Sequence, residues 1–263
     1  MTGVDPAFKR RLSGGEPVVG AWLSLGSPAL AELTAILDFD FGLIDVEHAA
    51  TSMETVQGMI HAAQSDEAAA HVLVRVPDAG PGPIKQVLDA GAAGVMVPMV
   101  DDAAEAREAV ANARYPPEGQ RGIAGSRATA YGQRFEEYVT SANEGVVVAA
   151  QIETRDGLEN VEEIAAVDGI DALFVGPADL SGSLDAFAEW DSDRLADAMA
   201  RVVDAAHDAG IAVGTLCVSP EDIPRRTAAG FDFLIVGKDT AFFARAATEA
   251  KETFEDAVDG QDD

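Results

Sequence analysis

The chain has very little lysine. Only Lys9, Lys85, Lys238 and Lys251 occur among its 263 residues, against 46 aspartates and glutamates, and the formal net charge is −28. Such a surface offers no basic patch for a phosphate backbone, which excludes nucleic acid as a partner. Cysteine is scarcer still: Cys217 is alone, so there is neither an internal disulfide nor a cysteine-based zinc cluster. No stretch approaches the roughly 18–20 unbroken apolar residues of a membrane span. The opening Met-Thr-Gly-Val-Asp-Pro lacks a basic segment leading into an apolar one, so no secretory leader is expected and the location is read as cytoplasmic. Neither G-x-G-x-x-G after the first strand nor G-x-x-x-x-G-K-[ST] occurs, so no nucleotide cofactor is expected.

What is present is ample apolar material, 48% of the residues, with carboxylates spread along amphipathic segments instead of gathered in a tail. That pattern separates the chain from acidic disorder. Self-repulsion on this scale destabilises a compact state unless salt screens it. The surface therefore reads as an adaptation to a salt-rich, halophilic cytoplasm.

Eight short runs rich in β-branched residues alternate with helical segments: Val18–Leu25, Phe41–Asp45, His71–Val76, Gly94–Val100, Val146–Gln151, Ala172–Val175, Ile211–Leu216 and Phe233–Val236. Between them the pattern predicts helices, among them Gly157–Ala166, Trp190–Ala209 and a last one over Thr240–Ala257, with 259–263 fraying. Eight such alternations in this length predict a (β/α)8 barrel, one domain with a core over about 18–250. The segment Tyr115–Arg134, with Pro116-Pro117 and four glycines, is read as a long functional loop.

Active sites of such barrels sit at the C-terminal strand ends. There the chain places Asp45, Glu47 and His48, then Arg75, then Gln151 and Glu153, then Asp179. An unperturbed imidazole titrates near neutrality, so a histidine at position 48 suits proton transfer. Glu153 and Asp179, on adjacent strands, suit a hard divalent cation such as Mg2+ or Mn2+ with open positions for substrate oxygens. Arg75 suits a carboxylate or a developing enolate. The residues alone leave open that the carboxylates complement helix dipoles and that Arg75 forms an internal salt bridge. Taken together they suit bond making or breaking beside the carbonyl of a 2-oxo acid.

The motifs Leu43-Ile-Asp-Val-Glu-His-Ala49, Leu73-Val-Arg-Val76, Ile84-Lys-Gln-Val-Leu-Asp-Ala-Gly91, Val97-Pro-Met-Val100, Arg114-Tyr-Pro-Pro117, Gln151-Ile-Glu-Thr154 and Gly176-Pro-Ala-Asp-Leu-Ser181 resemble those of the HpcH/HpaI aldolase/citrate lyase family, the class II pyruvate aldolases. The resemblance implies a metal-dependent lyase (Mg2+, Mn2+ or Co2+) that reversibly cleaves a 4-hydroxy-2-oxo or 2-keto-3-deoxy acid to pyruvate and an aldehyde. It implies His48 as acid/base with Asp45 as companion, Arg75 at the enolate, Glu153 and Asp179 as metal ligands, and Gln151 and the Ala178 backbone on the pyruvate. It also implies a role for Asp89 toward the histidine. Because Asp89 ends a helix, it would act from another subunit of a homo-oligomer, a hexamer or other dimer-based assembly with the last helix swapped. Two further readings stay open, a citrate-lyase-like acyl-CoA lyase and a non-catalytic 2-oxo acid-binding barrel.

Two positions depart from the family pattern. Lys238 follows the eighth strand where a small or apolar residue is expected, which raises a Schiff-base (class I) alternative. Asp185 follows Asp-Leu-Ser181-Gly-Ser-Leu where glycine is more usual, which touches substrate identity. Independently of these, the charge makes a direct prediction. The thermal unfolding midpoint rises as KCl is raised to molar concentration, followed by circular dichroism; a maximum at low salt contradicts the screening argument.

Overall fold

The structure, a computed structural model, describes residues 4–14, 16–65 and 70–259. The expected fraying of 260–263 lies outside the described residues. In chain order the elements are α1 (Pro6–Ser13), β1 (Val18–Leu23), α2 (Pro28–Ile36), β2 (Phe41–Asp45), α3 (Met53–Ala63), β3 (His71–Arg75), α4 (Pro81–Asp89), β4 (Gly94–Val97), α5 (Ala103–Ala113), α6 (Phe135–Gly145) and β5 (Val147–Ile152). Then come α7 (Arg155–Glu159), α8 (Val161–Ala165), β6 (Ala172–Val175), α9 (Pro177–Ser183), α10 (Asp193–Ala209), β7 (Ala212–Leu216), α11 (Asp222–Ala228), β8 (Phe233–Lys238) and α12 (Asp239–Asp259). The eight strands pair in parallel in sequence order and β8 closes on β1, giving a (β/α)8 barrel.

Side chains alternate between the barrel axis and the helix layer. Phe41 and Leu43, Leu73, Val147 and Ala149, Ala172 and Phe174, and Phe233 and Ile235 form the interior cluster. Ile44, Val72, Val74, Val148, Leu173 and Leu234 pack outward against the helices. Two glycines make room for the interior aromatics. A Cβ on Gly20 would lie 2.3 Å from the Phe41 ring, and one on Gly214 would lie 2.2 Å from Phe233. Phe8 and Leu12 of α1 join the same cluster, and Phe8 stacks on His71 at 4.1 Å. The short lead-in helix is thus the plug of the N-terminal end.

Several boundaries differ from expectation. β1 and β4 stop at Leu23 and Val97, because Leu25 and Met99 turn out toward solvent. The helix expected over 157–166 is two pieces, broken at Asn160, whose side-chain amide donates to the Asp101 carbonyl at 2.8 Å. α9 escaped the sequence pattern because it is two turns long; Pro177 starts it and Leu180 anchors it. Tyr115–Arg134 is irregular apart from a single 3-10 turn at Arg127–Thr129. No helix among the described residues is long and apolar enough to cross a membrane.

α12 stands apart. Among its residues only Asp239 is buried, whereas Phe243, Phe254 and Val258 are exposed. On α2, Leu33, Ile36 and Leu37 are exposed too.

Because Gly20 abuts Phe41, Gly20→Ala is expected to destabilise the barrel by about 1–3 kcal/mol through overpacking. Thermal melts of Gly20→Ala, Phe41→Leu and the double variant check this: the smaller ring should recover part of the loss.

Candidate active site

The alternation that builds the interior also delivers the polar rim. Asp45 continues the inward row of Phe41 and Leu43, Arg75 that of Leu73, and Gln151 and Glu153 that of Val147 and Ala149. Asp45 and Arg75 are direct partners in the β2–β3 ladder. Arg75 Nε donates to Asp45 Oδ1 at 3.0 Å and Nη2 to Oδ2 at 2.8 Å. Arg75 Nη1 lies 2.8 Å from Glu47 Oε2. The internal salt bridge left open from the sequence is therefore present, and it is double. Five N–H donors belong to a guanidinium; two are hydrogen-bonded to Asp45, and the close approach of Glu47 is an ion pair without hydrogen-bond geometry, so donors on the terminal nitrogens remain for a substrate oxygen.

Trp22, inward on β1, forms the wall behind this group. The Arg75 guanidinium carbon lies 4.6 Å from its ring centre and the indole N–H donates to Asp45 Oδ2 at 3.4 Å. Sequence reasoning passed over Trp22 inside an apolar strand. Its place two residues beyond Gly20 on the inward row was the available signal.

Burial alone would raise the Asp45 pKa, but the Arg75 hydrogen bonds and charge, helped by the backbone N–H groups of His48 and Glu47, hold it below its ordinary value. Asp45 thus touches the backbone of His48, at 3.3 Å, and gives its carboxylate to Arg75. The ring of His48 instead has Glu47 beside it, with Nε2 3.8 Å from Oε1, and most of the imidazole is exposed. Glu47, to which the family resemblance assigns no role, lies between Arg75 and His48. Its pKa is raised chiefly by burial, which the Arg75 charge only partly offsets, with Asp45 and Asp179 adding repulsion.

Glu153 is buried, and its pKa is pushed up to about 7, first by burial and further by the charges of Asp179 and Glu47. The Met99 N–H donates to Glu153 Oε1 at 2.9 Å and counteracts part of this. Met99 reaches that position with φ +53, a left-handed conformation that strains a non-glycine residue. The Gln151 amide donates to Glu153 Oε2 at 2.5 Å while its own Oε1 is buried without a partner. Gly176 is required here, because a Cβ would lie 2.6 Å from Glu153 Oε2.

No group of three or more His, Cys, Asp or Glu close enough to hold a metal occurs among the described residues. The residues that could hold a metal are the pair Glu153 and Asp179, with Gln151 Oε1 oriented by the hydrogen bond of its own amide to Glu153. Carboxylates whose mutual repulsion raises a pKa, next to an orphaned amide oxygen, fit a hard divalent cation. Ala178 and Asp179 lie exposed in the first turn of α9.

Asp89 is not brought to this rim. Arg121 Nη2 holds its Oδ1 at 2.7 Å, and Arg121 is itself buried and stacked 4.5 Å from the Tyr115 ring. Asp89 lines an outer groove of about 570 Å3 with Gln57, Gln86 and Tyr131.

A profile of the HpcH/HpaI aldolase/citrate lyase family matches residues 19–246. The chain belongs to this family. Relatives within it include a hydroxypyruvate/pyruvate aldolase of Paraburkholderia phytofirmans, 40% identical over 92% of this chain and 95% of that protein. A 2-keto-3-deoxy-L-rhamnonate aldolase of Escherichia coli is 38% identical over 96% of this chain and 94% of its own. The crystal structure of an HpcH/HpaI aldolase/citrate lyase family protein from Burkholderia cenocepacia superposes with a TM-score of 0.91 at 37% identity, covering 95% of this chain and 98% of that one. This family member is a lyase.

The raised Glu153 pKa has a consequence for stability. A carboxyl raised from 4.5 to about 7 on folding contributes stability that is present below about pH 4.5 and lost as the pH climbs through 7. Glu153→Gln in EDTA should therefore melt higher than the parent at pH 8, by a few degrees, and the difference should shrink toward pH 5. Parallel melts at the two pH values check it.

Proposed function

We propose that this lyase is a divalent-metal-dependent aldolase that reversibly cleaves a 4-hydroxy-2-oxo acid into pyruvate and an aldehyde. The observation that carries the reading is the set of carboxylates around Glu153, whose charge Arg75 offsets only in part, next to the orphaned Gln151 oxygen. Glu153 and Asp179 hold the ion. Bound there, Mg2+ or Mn2+ supplies Lewis acidity toward the oxygens of a 2-oxo acid.

The chain's own residues supply the rest. Gln151 and the Ala178 backbone orient the pyruvate portion. Arg75 offers remaining hydrogens of its terminal nitrogens to the oxygen on which enolate charge develops. Asp45 acts on Arg75: with both oxygens engaged it fixes the guanidinium plane. His48 takes the proton of the 4-hydroxyl during cleavage and returns it during condensation. Its exposed ring exchanges protons with solvent, and Glu47 lies beside it. Within its own chain Asp89 has no route to His48, so its part in the proton relay belongs to a second subunit. The exposed Phe243, Phe254 and Val258 on α12, together with Leu33, Ile36 and Leu37 on α2, support a homo-oligomer. A lone buried cysteine and the acidic surface fit a cytoplasmic enzyme working in concentrated salt.

The test is pyruvate release from a panel of 2-keto-3-deoxy acids. EDTA should abolish it and Mg2+ or Mn2+ should restore it; activity that survives chelation refutes the metal reading. His48→Ala should lower turnover by about 100-fold or more while calorimetry still finds pyruvate binding, and retained turnover removes His48 from its role.

A further inference from the structure

A cavity of about 510 Å3 opens between the connections that follow β6 and β7. Pro177, which begins α9, gives it an apolar wall together with Trp190 and Val218, and Arg225 and Arg226 of α11 line it too. None of the side chains given a part in the aldol reaction lines it.

The two arginines are in opposite situations. Arg225 is paired twice, with Asp191 at 2.5 Å from Nη1 and Asp222 at 2.6 Å from Nη2. Asp222 gives its other oxygen to the Val218 and Ser219 N–H groups, at 3.1 and 3.2 Å. Arg226 is only 8% exposed, yet among the described residues its side chain has no ion pair and a single hydrogen bond. That bond runs from Nη1 to Met199 Sδ at 2.9 Å, and Nε is buried with no partner. A thioether is a weak acceptor.

The one nearby group that might have become an anion does not. Cys217 is buried, and burial, followed by the Asp222 charge, pushes its thiol up to about 11, so it is neutral at pH 7. Burial and the Arg225 charge both disfavour the Arg226 cation, but a guanidinium keeps its proton all the same. A buried charge without a partner is costly. In a chain with 46 aspartates and glutamates against 18 lysines and arginines, a buried arginine without a carboxylate is an exception.

The lining narrows the candidates for the missing charge. A guanidinium fork matches the two oxygens of a carboxylate. Asp191, Glu221 and Asp222 also border the cavity, and they would repel a second negative charge on the same molecule. Trp190, half-exposed and T-shaped to Phe187 with ring centres 6.0 Å apart, offers aromatic surface to an apolar body.

We propose that this cavity is a second binding site, separate from the aldol site, for a small monocarboxylate with a compact apolar body. The carboxylate pairs with Arg226 while the body rests on Trp190 and Pro177. No bond forms or breaks. An occupant touches the start of α9, whose first turn carries Asp179.

The experiment titrates the full chain, in EDTA and without aldol substrates, with cyclohexanecarboxylate and with cyclohexanecarboxamide. The two probes differ in charge and hardly in shape. Tryptophan emission follows binding, because the chain has only Trp22 and Trp190, and Trp22 is buried. The carboxylate is expected to shift the emission and to bind about tenfold or more tightly than the amide. Trp190→Phe should silence the shift. Arg226→Met should abolish the preference for the acid, and Arg226→Lys should keep part of it. Equal binding of acid and amide by the parent, or binding of neither, overturns the proposal without recourse to any variant. An unchanged preference in Arg226→Met overturns it too. A shift that persists in Trp190→Phe puts the probe beside Trp22 at the rim, and is equally fatal. None of these readouts needs turnover, so their outcome is separate from that of the aldolase reading.

Discussion

The site depends on one buried cation. Arg75 is almost fully enclosed, and its charge offsets the cost of burying Asp45 and, in part, Glu47 at the end of a barrel strand. Taking a carboxylate out of water is costly unless a partner of opposite charge and good geometry meets it. Here the bidentate geometry is fixed by strand register, since Asp45 and Arg75 are ladder neighbours. Glu47 is then drawn over the same guanidinium, which sets the distance at which the His48 ring stands. Without Arg75 the rim would hold Asp45, Glu47, Glu153 and Asp179 with no arginine between them, and the geometry described above would not persist.

Much of this was legible from the order of residues. Period-two alternation that puts Phe41, Leu43 and Leu73 on the axis also puts Asp45 and Arg75 there, and the barrel rule places strand ends at the active face. Gln151 and Glu153 follow by the same parity from Val147 and Ala149. What the sequence could not reveal depends on departures from that parity and on neighbours remote in the chain. Glu47 shares the parity of Phe41, Leu43 and Asp45 but lies beyond the end of β2, and its place in the site depends on the turn after Asp45, where the Glu47 and His48 N–H groups bond to Asp45 Oδ1. Met99 enters through a left-handed turn, and no residue type at that position signals such a turn. Lys238 faces the axis through a bulge that strand pairing creates. Asp89 was read as lying away from its own active face, and it does; its tie to Arg121 spans a loop whose path periodicity cannot supply.

Two charge regimes coexist in one molecule. The outer surface carries uncompensated acid that distant salt can screen. At the rim, one buried arginine is shared by two carboxylates, at distances where added salt has little effect.

The aromatic plug bears on where water travels. Phe8 and Leu12 close the N-terminal end, and the rings of Phe41, Phe174 and Phe233 succeed one another along the axis above them. The barrel is therefore a cup and not a tube. Every solvent molecule that hydrates the reacting groups enters and leaves past the rim, so a substrate seated there also serves as the stopper that keeps its own reaction dry.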